Sequence, residues 1–79
     1  MNWKERIVSD KNVLMGKPII KGTRISIEFI LDRLANGWSE EMILQSYPLL
    51  TKEDLLAVYS YLNDLEKDGL VYEIRAKAL

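Results

Sequence analysis

Three stretches of helical periodicity, separated by helix-stopping residues, constrain the fold of this chain more than any other feature. In the first stretch, apolar residues recur at the spacing of one helix face, at Ile27, Ile30, Leu31 and Leu34. Asn36-Gly37 supplies a left-handed stop after it. Pro48 ends the second stretch, because the residue before a proline is biased away from the helix. The pattern therefore predicts three short helices.

Capping residues set the expected helix starts. Helix 1 is predicted from about Ile27 to Asn36 with Ser26 as its cap, and helix 2 is predicted to follow the cap Ser39. Helix 3 is predicted to start at Thr51, with Asp54 completing a capping-box-like pair, and to end at Gly69. Its expected core stripe is Leu55, Val58, Tyr59, Leu62 and Leu65.

The connection between helices 2 and 3 is short. Pro48-Leu49-Leu50 gives helix-turn-helix spacing, and helix 1 before it completes a homeodomain-like arrangement of three helices. The predicted fold class is therefore mainly α, a homeodomain-like three-helix domain with a short N-terminal β-hairpin.

The hairpin prediction comes from residues 16–25, where two glycines and a proline punctuate an apolar run. Ile19-Ile20 fits an edge strand, since Pro18 cannot donate a ladder hydrogen bond. Gly22 suits a tight turn, after which Thr23 to Ile25 is expected to return as a second extended piece. Ile7-Val8 can also form a strand.

A chain of 79 residues is expected to form a single domain. We divide it into an N-terminal strand and hairpin arm over 5–25, a three-helix core over 26–68, and a short tail over 69–79. There is no cysteine and no apolar run of membrane-spanning length, so we expect a cytoplasmic protein.

The absence of histidine and cysteine argues against most site chemistry. It removes the usual zinc ligands and the commonest general base. The carboxylates are scattered and form no calcium-binding loop. We therefore expect no enzyme activity, no cofactor and no metal.

Charge is distributed unevenly along the chain. Residues 1–33 hold seven Lys or Arg and four acids, a net +3, whereas residues 34–79 hold four Lys or Arg and eight acids, a net −4. Such a dipolar chain can attract an anionic partner at one end or pair with itself. The cations of the first half can also simply pair with the acids of the second.

Five residues are predicted to contact nucleic acid. They are the hairpin cations and the start of helix 3, namely Lys17, Lys21, Arg24, Thr51 and Lys52. Base readout by helix 3 itself is disfavoured, because its expected outward face has a net charge of −1. That face comprises Glu53, Ala57, Ser60, Asp64 and Lys67.

A second set of residues is predicted to form a protein interface, through the sheet edge next to Pro18 and side chains that lie off the helix stripes. The set is Ile19, Ile20, Phe29, Leu56 and Tyr61. Phe29 is either covered by the N-terminal arm or part of a subunit interface, and the sequence leaves both open.

The run from Gly16 to Ile27, GKPIIKGTRISI, resembles the "GKPxIxGTRI" signature of the family called domain of unknown function 433. Gly37-Trp38-Ser39, Tyr47-Pro48 and the run 50–54 continue the family pattern, so that the resemblance covers about residues 6–66. One departure is the stretch 9–15, which lacks the "DPxIxGG" form usual there.

The resemblance implies a homeodomain-like three-helix fold with short N-terminal strands and no catalytic residues. Some members are antitoxins of the VapBC kind, which pair with a toxic ribonuclease and bind operator DNA. We therefore expect a homodimeric DNA-binding antitoxin or transcriptional regulator, with operator DNA and a small ribonuclease toxin as partners. The alternative is an interaction or dimerisation adaptor that acts through the hairpin without binding DNA.

Overall fold

A computed structural model of the chain describes residues 2–67. In this range three helices follow a small sheet: α1 (Ile27–Ala35), α2 (Glu40–Ser46) and α3 (Lys52–Lys67). The mainly helical fold class with an N-terminal hairpin is confirmed. The predictions for Gly69 and for the tail 69–79 lie outside the described residues.

The predicted caps of the first two helices are confirmed. The Ser26 hydroxyl accepts a hydrogen bond from the Phe29 N–H at 3.0 Å, and the Ser39 hydroxyl accepts one from the Met42 N–H at 3.1 Å. Each cap satisfies one of the N–H groups that the first turn of a helix leaves unpaired.

The sheet joins two short antiparallel strands, β1 (Ile7–Val8) and β2 (Ile19–Ile20). Residues 23–25, the expected return strand, instead lead to a single bridge between Ile19 and Ser26. On that side the Ile20 N–H donates to the Ile25 carbonyl, and the Ile27 N–H donates to the Pro18 carbonyl. Because β2 is thus bonded on both sides, the expectation of a free edge next to Pro18 was wrong.

A tight turn links β2 to α1. Gly22 has a φ of +80°, which glycine adopts without steric penalty. The Thr23 hydroxyl donates to the Ile20 carbonyl at 2.8 Å and accepts from the Ile25 N–H at 3.0 Å. These bonds fix the turn that carries Lys21 and Arg24.

The hydrophobic core draws on the strands as well as the helices. Buried side chains from all three helices pack with the strand residues Ile7 and Ile20 in one hydrophobic cluster. Its buried members are Ile7, Ile20, Ile27, Ile30, Ile43, Leu50, Leu55, Ala57 and Val58. The sheet of β1 and β2 is therefore part of the hydrophobic core.

The outward face predicted for α3 is right at Glu53 and Lys67, which are exposed, and wrong on the side that holds Ala57 and Asp64. Ala57 is fully buried, and Asp64 accepts a hydrogen bond from the Trp3 indole N–H at 2.6 Å. The N-terminal 3-10 helix (Trp3–Glu5) covers this side, with Trp3 edge-on to Tyr61 at 4.9 Å between ring centroids. The exposed residues of α3 are Lys52, Glu53, Leu56, Tyr59, Asn63, Glu66 and Lys67.

Asp54 joins the start of α3 to the N-terminal segment. Its carboxylate accepts from the Thr51 N–H at 2.9 Å, and its own N–H donates to the Thr51 hydroxyl at 3.2 Å. The predicted capping box is therefore present. The second carboxylate oxygen accepts from the Arg6 guanidinium at 3.1 Å, so a side chain that is 8% exposed has both oxygens bonded.

Replacing this carboxylate tests its structural importance. Asp54→Ala removes a helix cap and an ionic hydrogen bond, and we expect it to lower the free energy of unfolding by about 2 kcal/mol. Urea unfolding measures the change. Glu53→Ala, at the exposed neighbouring position, is the control and should stay within about 0.5 kcal/mol of the unaltered chain. Equal stability of the two variants would contradict the assignment.

Candidate functional site

The five residues predicted to contact nucleic acid lie on two separate surfaces. Lys17 and Arg24 line a groove of about 530 Å³ between the 14–16 turn, α1 and the end of α2. We call it the apolar groove; its walls also include Leu14, Met15, Ile25, Ser26, Glu28, Phe29, Asp32 and Tyr47.

Lys21 lies instead in a second opening of about 350 Å³, shared with Glu5, Arg6 and Asp54. We call it the polar cleft. Asp54 belongs to the first turn of α3 and accepts from the Thr51 N–H, so Lys21 and Thr51 lie at the same end of that helix. The Lys52 side chain is directed to α2 instead, where it pairs with Glu40.

Aromatic side chains form one wall of the apolar groove. Phe29 is half-buried and meets Tyr47 edge-on, with ring centroids 5.2 Å apart. The guanidinium of Arg33 lies 4.3 Å from the Phe29 ring centroid. Leu14 and Met15 line the same groove without closing it. Phe29 is thus packed within the chain and still borders open space.

The turn opposite this wall has an unusual backbone. Leu14, Met15 and Gly16 all have positive φ, at +48°, +57° and +82°. A residue with a β-carbon pays roughly 1–2 kcal/mol for the left-handed conformation. Met15 is nevertheless 90% exposed. No sequence pattern predicted this conformation, although the departure from the family form over 9–15 falls on the same turn.

The groove carries both signs of charge at its rim. Lys17 pairs with Glu28 at 3.1 Å, and Asp32 pairs with Arg33 at 3.4 Å. Within the described range 2–67, the exposed Arg24 forms no ion pair. Among residues 2–67, therefore, no ion pair joins a hairpin cation (Lys17, Lys21 or Arg24) to the acidic second half of the chain.

At the polar cleft, Arg6 is occupied by Asp54, whereas the exposed Lys21 has no ion pair among residues 2–67. The Lys21 N–H donates to the Arg6 carbonyl at 2.8 Å, which fixes its backbone against β1. Lys52 pairs with Glu40 of α2 at 2.8 Å. Thr51 is engaged in the capping box.

Glu40 also links α2 to α3 through a residue that sequence reasoning placed in the core. Tyr59 is 38% exposed, and its hydroxyl donates to the Glu40 carboxylate at 2.6 Å. Hydrogen bonds from Lys52 and Tyr59 lower the pKa of Glu40. Desolvation by burial, with the bond to Glu40, raises the pKa of Tyr59 to about 12.

The residues predicted to form an interface are placed unequally. The side chains of Ile19 and Ile20 are buried within the chain, and Tyr61 is half-buried against Trp3. Leu56 is 44% exposed on α3. Leu56 is thus exposed, Phe29 borders the apolar groove, and the role of this set in an interface stays a prediction.

The described residues provide neither a cluster of metal ligands nor a membrane-spanning helix. In the range 2–67, no three acidic side chains are grouped so that they could hold a metal ion. No helix in that range has the length and apolar character needed to cross a membrane.

Comparisons with known proteins place the chain among its relatives. Residues 7–62 match a family model described as "Protein of unknown function (DUF433)". The crystal structure of a DUF433 member protein from Anabaena variabilis ATCC 29413 superposes with a TM-score of 0.72 at 28% identity, covering 89% of this chain and 68% of that one.

A curated relative is "Uncharacterized protein y4eO" from Sinorhizobium fredii (strain NBRC 101917 / NGR234), 31% identical over 64 residues. The match covers 78% of this chain but only 29% of the relative. This chain therefore spans less than a third of that protein's length.

The lowered pKa of Glu40 predicts an acid-sensitive contact. Since the folded-state pKa lies below the ordinary value of 4.5, the stability contributed by ionised Glu40 is complete above about pH 4.5 and is lost as the pH falls through the folded-state pKa. Urea unfolding of Glu40→Gln should show lower stability than the unaltered chain at neutral pH, and the difference should shrink in acid.

Glu41→Gln is the matched control for that series, because Glu41 is the exposed neighbour in the same first turn of α2. It should leave the free energy of unfolding almost unchanged at neutral pH. A difference between the unaltered chain and Glu40→Gln that stays constant down to the lowest pH would disprove the linkage.

Proposed function

The chain belongs to the DUF433 family, and from that premise we propose that it is a non-enzymatic helix-turn-helix module that binds DNA as a transcriptional regulator or antitoxin. The observation that carries the proposal is the position of Lys21, an exposed cation without an ion pair in residues 2–67, beside the first turn of α3.

The helical geometry supports this role. Residues 47–51 connect α2 to α3, with Leu50 buried in the core and the Leu50 N–H donating to the Tyr47 carbonyl at 2.9 Å. A short fixed connection of this kind holds the second helix of a helix-turn-helix at a defined angle. In proteins that read DNA with this motif, the N-terminal residues of that helix meet the bases.

The charge of α3 is also compatible with DNA. Its exposed residues include Lys52 and Lys67 against Glu53 and Glu66, which gives a net charge of zero. The acidic outer face expected from the sequence would repel phosphate, whereas this neutral face does not. Exposed Asn63 adds an amide of the type that can bond to base edges.

Phosphate contact at this end requires only small rearrangements. The Lys52–Glu40 pair is on the surface, and such pairs contribute roughly 0–1 kcal/mol, so that Lys52 can exchange Glu40 for a phosphate. The positive end of the α3 dipole favours an anion at the same place. Lys17 and Arg24 face the apolar groove and are not needed for this contact.

The antitoxin form of the proposal requires a toxin partner, for which a small ribonuclease is the candidate. Growth arrest by a ribonuclease encoded beside this chain, relieved when the two are expressed together, would distinguish an antitoxin from a regulator without such a partner. Growth arrest that co-expression does not relieve would limit the proposal to a regulator.

A second candidate is an interaction module that does not bind DNA. The observation that favours it is the apolar groove, beside which Met15 is 90% exposed. Such a module cannot add a partner strand next to Pro18, because the Pro18 carbonyl already accepts from the Ile27 N–H. Strand pairing would have to use the outer side of β1, which is two residues long.

DNA binding is tested by fluorescence anisotropy with duplex DNA from upstream of the chain's own gene, over a series of salt concentrations. We expect affinity to fall with salt, and Lys21→Ala and Lys52→Ala each to reduce the logarithmic salt slope by about 0.9, because each removes one phosphate contact.

Lys67→Ala is the control, since Lys67 lies about 22 Å from Lys52 along the helix axis and should not alter the slope. Absence of salt-sensitive binding at micromolar protein would overturn the DNA proposal. An equal loss of slope in all three variants would show that the contact is not located at the start of α3.

A further inference from the structure

We propose that the apolar groove is a two-fold interface between copies of this chain, in which Met15 of each copy packs into the groove of the other. This goes beyond the proposed function and does not rest on DNA binding. Its occupant is a second copy of the chain, and the argument uses the backbone at Met15, the groove wall and the charges at the rim.

The backbone conformation at Met15 exposes an apolar side chain to solvent. Met15 has φ +57° and ψ +32°, and it is 90% exposed. Leu14 before it is also left-handed, at φ +48°. Strained backbone of this kind tends to persist where it contributes to a contact. The turn therefore presents Met15 in a fixed direction, which lowers the entropy lost when it is buried by a partner.

The groove wall suits a methionine. Phe29 and Tyr47 meet edge-on at 5.2 Å between centroids, and both line the open space. Thioether sulfur makes favourable contacts with aromatic rings, and the unbranched side chain adapts to irregular spaces. The volume of about 530 Å³ exceeds one side chain, so that it can take Met15 together with neighbouring atoms of its turn.

The charged residues around the groove can complement the same residues of a second copy. Lys17 and Arg24 supply two positive charges, and Glu28 and Asp32 supply two negative charges, around the same groove. In the proposed two-fold interface each surface meets its own copy, and the axis is placed so that the hairpin cations of one copy face the α1 acids of the other. The exposed Arg24, which has no ion pair among residues 2–67, is the cation available for Asp32 of the second copy, where it would share that carboxylate with the Arg33 that already pairs with it at 3.4 Å.

This balance of charge favours a second copy over other partners. A nucleic acid or a strongly acidic protein would be matched by a cationic rim, whereas the four charged residues that line the groove sum to zero, and Arg33 beside them is already paired with Asp32. A groove with equal charges of both signs is electrostatically matched to itself.

The first experiment is sedimentation equilibrium of the full chain over a range of concentrations. We expect a monomer–dimer equilibrium. Met15→Gly should weaken dimerisation about 100-fold or more, because two buried methionine side chains are removed from each dimer. Glycine adopts φ +57° readily, so this variant keeps the turn and circular dichroism should show an unchanged helix content.

Met42→Ala is the matched control, because Met42 is 46% exposed on α2 and does not line the groove. Its dimerisation constant should equal that of the unaltered chain. A chain that is monomeric at every concentration, or a Met15→Gly variant that dimerises normally, would overturn the interface.

A charge exchange tests the two-fold arrangement. Arg24→Glu and Asp32→Lys should each weaken the homodimer, because each places like charges opposite one another twice. Mixing the two variants creates one exchanged pair and one original pair, and should restore a heterodimer at least about tenfold tighter than either homodimer. A mixture no tighter than its components would refute the arrangement. Since Lys21 and Lys52 are untouched, a failure of DNA binding would leave this result unaffected.

Discussion

The buried carboxylate of Asp54 is the constraint on which the arrangement of this small domain depends. Burying a charge is unfavourable unless it is fully bonded, and here one oxygen accepts from the Thr51 N–H while the other accepts from Arg6. The same group therefore begins α3 and anchors the N-terminal segment. The contacts of Trp3 with Tyr61 and Asp64 attach the N-terminal 3-10 helix to α3 at a second place.

That anchoring decides which surfaces are exposed. The N-terminal segment covers the side of α3 that holds Ala57 and Asp64, and leaves Tyr59 exposed and bonded to Glu40. It also separates the hairpin cations, because Lys21 faces the start of α3 while Lys17 and Arg24 face the apolar groove. A cluster that is continuous in sequence thus serves two surfaces, one proposed for DNA and one for a second copy of the chain.

Local features of the fold were predictable from the sequence, and distant contacts were not. Ser26, Ser39 and the Thr51–Asp54 pair act within three residues of their partners, so that their caps could be recognised from spacing alone. The face of α3 depended on Trp3, which is 61 positions from Asp64, and no periodicity encodes that contact. At the candidate site, the residue types were recognised, but their division between two surfaces and the left-handed Leu14 and Met15 were not.

The long reach of the N-terminal segment has a consequence for the order in which the fold is completed. A ribosome makes Trp3 and Arg6 early, yet their partners Asp64 and Asp54 are added only when α3 is synthesised. The pairing of β1 with β2 uses no residue of α3, but the indole of Trp3 and the guanidinium of Arg6 cannot reach their final positions until then. The Trp3–Glu5 segment, although it precedes the strands, therefore takes its final position last, and the nascent domain is complete only after its third helix has left the ribosome.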